Sequence, residues 1–163
     1  MEFLPTTVDL APWPVLLSET KPETLHQDWQ FIERGLIAVI KRVKPDWIAA
    51  DIYAALATGA ANCVMARRAG KDLGFVVYYR QQRPFSKKPE LFIWAAYTVP
   101  FKQRSQTDNV PDLVATVWRY LVIVAKSNFG TSVIAWITTA KRAESFRRKY
   151  RWLPRYVTFQ VEV

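Results

Sequence analysis

One cysteine, one histidine, five glycines and two methionines among 163 residues leave several kinds of chemistry without the parts they need. Cys63 has no second thiol to pair with, so an intramolecular disulfide and a four-thiolate zinc centre are both excluded. It lies in a run, residues 62–66, that reads as a buried strand, and a buried structural thiol is the expectation. His26 alone cannot build a histidine-rich metal site, and Ser/His/Asp or Cys/His catalysis has little to draw on. It reads as a polar residue near a helix start, and no metal is expected. No apolar run approaches the ~20 residues of a membrane helix. The opening Met1-Glu2-Phe3-Leu4-Pro5 has neither the basic region nor the apolar core of a secretory signal. The expected product is cytoplasmic in the cell that makes it, or packaged without export.

What is present is a composition that can bury a core: 50% hydrophobic and 14% aromatic residues, in a length that favours one domain over two. Residues 1–163 are expected to form that single domain, with an irregular N-terminal arm over 1–22. The 23 basic residues outnumber the 14 acidic ones, giving a net charge of +9. The resulting positive field attracts nucleic acid, anionic lipid or acidic protein.

Along the chain, Pro5, Pro12 and Pro14 stiffen the arm, and Val15-Leu16-Leu17 suggests a short strand before a turn over 18–22. Leu25, Trp29, Ile32, Leu36, Val39, Ile40 and Val43 recur at helical spacing, which predicts an amphipathic helix over 24–43 that Pro45 ends. Asp46 can cap a second helix whose buried stripe is Ile48, Ile52, Ala55 and Leu56, closed by Gly59. The period then changes. Residues 61–67, 74–82 and 91–99 are rich in β-branched and aromatic side chains and are joined by links too short for crossovers, so they read as an antiparallel meander. Pro111 introduces a further helix through Leu113, Val117, Leu121 and Val124 that ends near Asn128 or Gly130. Residues 132–138 read as an apolar strand, 139–150 as a basic helix, and 156–163 as a last strand.

The order β-α-α-β-β-β-α-β-α-β, an α/β arrangement with a mixed sheet, resembles the GNAT fold of acyl-CoA N-acyltransferases over nearly the whole chain. The resemblance is carried by Gly74-Phe75-Val76-Val77, by Leu91-Phe92-Ile93-Trp94-Ala95-Ala96-Tyr97, and by Ala143-Glu144-Ser145-Phe146 with Arg151-Trp152 before a strand. The Ile93-Trp94-Ala95-Ala96-Tyr97 stretch is similar to small phage-encoded members, some of them virion-associated proteins of short-tailed phages.

That resemblance implies a diphosphate site on backbone amides at a helix N-terminus, after a loop of pattern Gln/Arg-x-x-Gly-x-Gly/Ala. The matching segment here is Gln103-Arg104-Ser105-Gln106-Thr107-Asp108, with Gln106 and Asp108 at the glycine positions and no glycine anywhere in 95–129. Lys102 and Arg104 are the residues that could still draw an anion as point charges. The family's second motif places a proton-donating tyrosine on the last helix, where this chain has Arg147; Tyr150 stands three residues beyond. A carboxylate base on the central strands is a further family feature. The predicted strand 91–99 contains no acid, Glu90 precedes it, and Tyr97 is the titratable group within it.

Lys141, Arg142, Arg147, Arg148, Lys149, Arg151 and Arg155 face a single acid, Glu144, over 141–155. Lys141, Arg142, Arg147, Arg148, Arg151 and Arg155 are the candidate partner-binding residues, for an acidic protein or, unspecifically, nucleic acid. Loss of the glycine loop, of the motif tyrosine and of an evident base together favour a non-catalytic GNAT-like scaffold. It would act through protein contacts in a phage particle or as a homo-oligomer, with no cofactor. The alternatives are an N-acyltransferase using acetyl-CoA or another acyl-CoA through Lys102, Arg104 and Tyr97 or Tyr150, and a basic nucleic-acid-associated protein.

Overall fold

The computed structural model describes residues 15–82, 87–100, 113–131, 133–136, 144–145 and 147–149. Five strands form one sheet in the order β1-β2-β3-β4-β5: Leu16–Thr20, Asn62–Arg68, Lys71–Gln81, Glu90–Thr98 and Ile134–Trp136. The first four are antiparallel neighbours and β5 runs parallel to β4. The parallel pair requires a crossover, and the helix α3, Leu113–Asn128, lies within it. The mixed α/β sheet and the meander are therefore those expected. The predicted last helix and last strand fall largely outside the described residues, within which 144–145 and 147–149 are helical.

Each face of the sheet buries its own core. On one, Leu17, Val64, Val76, Tyr78 and Leu91 pack against Leu121, Val124 and Ala125 of α3. On the other, Cys63, Met65, Phe75, Val77 and Ala95 meet the helices α1, Leu25–Val43, and α2, Ala49–Ala57. The buried stripe of α1 is Leu25, Ile32, Leu36 and Val39, the helical spacing seen in the sequence. Cys63 is fully buried, and burial pushes its thiol far above the ordinary range, so it is an inert packing group.

One position lets α1 approach the sheet. A Cβ on Gly35 would stand 2.4 Å from Phe75 Cε1 and 2.6 Å from Tyr97 Cδ1, so the helix backbone rests directly on those two rings.

Three local expectations are corrected. The turn placed over 18–22 is strand up to Thr20, because Ser18, Glu19 and Thr20 pair with Met65, Val64 and Cys63. Asp46 does not cap α2; the cap is Ile48, whose N–H donates to the Asp51 carboxylate at 2.8 Å, so the acid sits inside the first turn. The link between the strands expected over 61–67 and 74–82 is shorter than that spacing implies: a two-residue turn, Ala69-Gly70, with both residues at positive φ (48° and 74°), and Lys71 already belongs to β3. The α1 end behaves as expected: Lys44 turns left-handed at φ 49° just before Pro45 and donates its N–H to the Ile40 carbonyl.

Two polar clusters tie β1 to the rest. Arg67 reaches Asp72 at 2.8 Å, Ser18 Oγ at 2.9 Å and Asp28 of α1, while Thr20 Oγ1 donates to Asp28 at 2.7 Å. On the α3 face, Glu19 Oε1 accepts from Tyr78 Oη at 2.5 Å and from Tyr120 Oη at 2.9 Å. Burial pushes both phenols well above the usual tyrosine range, and the Glu19 carboxylate adds to the rise. A folded-state value raised above about 10 means that the native chain keeps a proton the unfolded chain has released. Stability is then intact below pH 10 and falls above it, with a limiting slope of about 1.4 kcal/mol per pH unit for Tyr78. Chemical denaturation between pH 8 and pH 11 measures this slope, and Tyr78→Phe is expected to flatten it.

Candidate functional site

The feature that sets the site is an irregularity in β4. Tyr78 pairs with Ile93 and Val77 with Ala95, so Trp94 is an extra residue with no partner on β3. Such a bulge bends the strand and resets which side chains face which way. Before it, Leu91 and Ile93 pack on the α3 face; after it, Ala95 and Tyr97 pack on the α1/α2 face, beside Trp94. Among the described residues, the β4–β5 ladder pairs Leu91, Phe92 and Ile93, which lie directly before the bulge. Among the described residues, β4 beyond Ile93 is hydrogen-bonded on its β3 side, and Ala96 and Thr98 are exposed there. Among the described residues, β4 is thus a strand that bends at Trp94 and carries small, exposed side chains at Ala96 and Thr98 beyond it.

Glu90 is the second component. It lies inside β4 as its first residue, in register with Gln81, so the strand begins one residue earlier than expected and contains an acid. Glu90 is 5% exposed. Alternation puts it on the same face as Phe92 and Trp94, and on the neighbouring strand as Tyr79 and Gln81. Burial raises the Tyr79 phenol and the nearby Glu90 carboxylate raises it further. The rings of Tyr79, Phe92, Trp94 and Trp47, the last from the α1–α2 connection, form a chain of contacts: 5.3 Å for Tyr79–Phe92, 5.5 Å for Tyr79–Trp94 and 6.4 Å for Trp47–Trp94.

The sequence matches no protein-family model, and no curated protein matches it. Solved structures do match. A ribosomal-protein-alanine N-acetyltransferase from Brucella melitensis biovar Abortus 2308 superposes with a TM-score of 0.63 at 14% identity, over 91% of this chain and 99% of that one. A predicted acetyltransferase with acetyl-CoA from Clostridium acetobutylicum gives 0.64 at 13% identity, over 91% and 96%. An aminoglycoside acetyltransferase from an uncultured soil metagenomic sample gives 0.63 at 11%, over 91% and 98%. The fold is that of the GNAT acetyltransferases.

In that GNAT-like frame the sequence-based candidates separate. Tyr97 is half-buried, with its ring 5.8 Å from Phe75 and 6.0 Å from Phe31, so it is held as a packing group beneath α1. Lys102 and Arg104 lie outside the described residues, as do Tyr150, Lys141, Arg142, Arg151 and Arg155. Arg147 and Arg148 are described, and both engage the same acid: Arg147 Nε and Nη2 donate to the two Glu144 oxygens at 2.8 and 2.9 Å, and Arg148 Nε to Oε1 at 2.9 Å. These guanidinium groups pull the Glu144 carboxyl down to about 2. The two arginines thus meet an acid of their own helix rather than standing as bare repelling charges.

Three features escaped the sequence: the bulge at Trp94, the inclusion of Glu90 in β4, and the Glu19, Tyr78 and Tyr120 cluster. The first two had a signal. Glu90, Phe92 and Trp94 alternate in step with Tyr79 and Gln81, which extends the hairpin ladder one residue beyond the apolar run. Among the described residues no three His, Cys, Asp or Glu side chains gather as metal ligands would, and no helix is long and apolar enough to cross a membrane.

Proposed function

We propose that the chain is a coenzyme A-dependent N-acyltransferase with a remodelled phosphate site. The observation that carries this is the bulge at Trp94, directly after the described β4–β5 pairs, in a fold shared with acetyltransferases that include one determined with acetyl-CoA. On this reading β4 parts from β5 beyond the bulge, and its edge then offers backbone N–H and C=O groups with which an extended amide chain such as pantetheine can pair as an added strand would. Ala96 and Thr98, small and exposed, leave the edge unobstructed, so these residues fit that part of the cofactor. The cofactor, when bound, supplies an acyl group activated as a thioester.

The chain's own residues do the rest. The β4 edge binds and orients, and Glu90 takes the proton from the attacking amine, directly or through ordered water. Lys102 and Arg104 are the last cations in sequence before the α3 start and would hold the diphosphate as point charges. Isothermal titration with acetyl-CoA tests this: a saturable, exothermic one-to-one isotherm is expected, weakened at least about tenfold in a Lys102→Ala/Arg104→Ala double variant. No heat at millimolar cofactor would refute it.

A second reading is favoured by one specific observation, the absence of glycine from 95–129, which removes the residue type that lets a diphosphate approach amides closely. On that reading the protein is a non-catalytic scaffold working through protein contacts, plausibly a virion component, and acetyl-CoA gives no isotherm.

A further inference from the structure

We infer that the chain associates with further copies of itself through two unlike surfaces, the outer side of α2 in one copy docking on the outer side of α3 in the next. The inference stands apart from the acyltransferase reading and needs neither cofactor nor acceptor.

The two surfaces are built alike and charged oppositely. Residues 46–57, which are α2 and the residues leading into it, carry two acids and no cation. Ile48 lies between those acids, two residues after Asp46 and three before Asp51, and is 61% exposed. Both acids are exposed with it, and Tyr53, five residues on, is 42% exposed. The 16 residues of α3 include two cations and no acid. Ile123 is 51% exposed and stands four residues after Arg119 and three before Lys126, the spacing at which helical side chains are neighbours. Both cations are exposed. An isoleucine between two acids on one helix thus answers an isoleucine between two cations on another.

Neither surface can be covered by the other within one copy. Ile52 and Leu56 bury α2 against one face of the sheet, and Leu121 and Val124 bury α3 against the other, so the sheet stands between them. Pairing of like surfaces fails on charge. Two α2 surfaces would set Asp46 and Asp51 against acids, and two α3 surfaces would set Arg119 and Lys126 against cations. Only α2 on α3 removes both isoleucines from water with opposite charges around them. The net charge of +9 repels approaching copies, but the Debye length is about 8 Å at physiological ionic strength, so charges remote from the contact are screened while those across it are screened less. A contact between unlike surfaces leaves one of each unused on every pair, so association proceeds until the rotation closes or continues as a filament.

Sedimentation velocity of the full chain at physiological salt, over about 1–100 μM, tests the inference. Species heavier than the 18.9 kDa monomer are expected. Ile48→Lys/Tyr53→Lys disables the α2 surface and Ile123→Glu disables the α3 surface, and each variant alone is expected to be monomeric. Mixed in equal amounts, the two are expected to form a one-to-one dimer and nothing larger, because the intact α3 of the first meets the intact α2 of the second. Should either variant lose the native circular dichroism spectrum, Asp46→Lys on α2 and Arg119→Glu/Lys126→Glu on α3 take their places. A wild-type chain that stays at monomer mass throughout, an oligomer that either folded variant leaves intact, or variants that remain monomeric when mixed overturns the inference.

Discussion

Replacing Glu90 by glutamine is expected to lower the rate of acyl transfer by a factor of about 10²–10⁴ while leaving acetyl-CoA affinity unchanged. The substitution keeps the volume and one acceptor oxygen but removes the only proton acceptor that β4 contributes. The amine must lose a proton to become a nucleophile, and a buried carboxylate on the aromatic face is placed to receive it. Because the defect is one of proton removal, it should shrink as the pH rises toward the amine's own ionisation, and an Asp variant should recover part of the rate. Steady-state kinetics with a saturating amine acceptor, from pH 6.5 to 9.5, measure both effects. A Glu90→Gln enzyme with wild-type turnover would remove Glu90 from the chemistry, and a loss confined to acetyl-CoA affinity would make it a packing group.

The second large effect is structural. Gly35→Ala adds a methyl group where Phe75 Cε1 is 2.4 Å away and two Tyr97 ring atoms are within 2.8 Å. Phe75 is 2% exposed and has no empty space to enter, so the helix must lift or the rings must leave their rotamers. Overpacking of this kind costs about 1–3 kcal/mol. Alanine recovers about 1 kcal/mol of helix propensity, so the net destabilisation is up to about 2 kcal/mol. Leucine or valine at 35 exceeds the upper figure. Denaturant unfolding monitored by tryptophan fluorescence measures it, and a Phe75→Leu/Gly35→Ala double variant should regain part of the loss, since a smaller side chain at 75 accepts the methyl. The consequence reaches function, because the same contact holds Tyr97 and the bulged half of β4 against α1.

Much of the architecture was legible in the sequence, for physical reasons that differ from element to element. The α1 stripe of Leu25, Ile32, Leu36 and Val39 repeats at the helical period, and local spacing alone dictates a buried face. The strands β2, β3 and β4 alternate and carry β-branched and aromatic residues, and their short links leave only antiparallel pairing. The site was less legible because it depends on where a period breaks. The bulge at Trp94 inserts one residue into a run that is apolar throughout, so Trp94 and Ala95 share a face that alternation would have divided between them. Glu90 was read as preceding the strand because an acid ends an apolar run, yet its register with Gln81 is fixed by the partner strand. Asp46 looks like a helix cap by residue type, yet α2 begins only at Ala49, and the acid that serves its first turn is Asp51, which accepts from the Ile48 N–H. Glu19 meets Tyr78 and Tyr120 across separations of 59 and 101 residues, a coincidence no local pattern announces.

The bulge and the register also change the weight of the functional argument. Loss of a glycine loop, of a motif tyrosine and of a base together favoured a scaffold. Glu90, the first residue of β4, is a candidate to make good the third. The glycine-free run remains, and it concerns how phosphates are held, whereas the β4 edge concerns how the reactive arm is placed.

The most direct test is a crystal structure of the protein grown with coenzyme A. The account predicts pantetheine amides hydrogen-bonded to the β4 backbone between Trp94 and Thr98, with the thiol end toward the face that carries Glu90. A cofactor lying elsewhere, or a β5 strand that continues to pair with β4 through Thr98 and closes that edge, would contradict it.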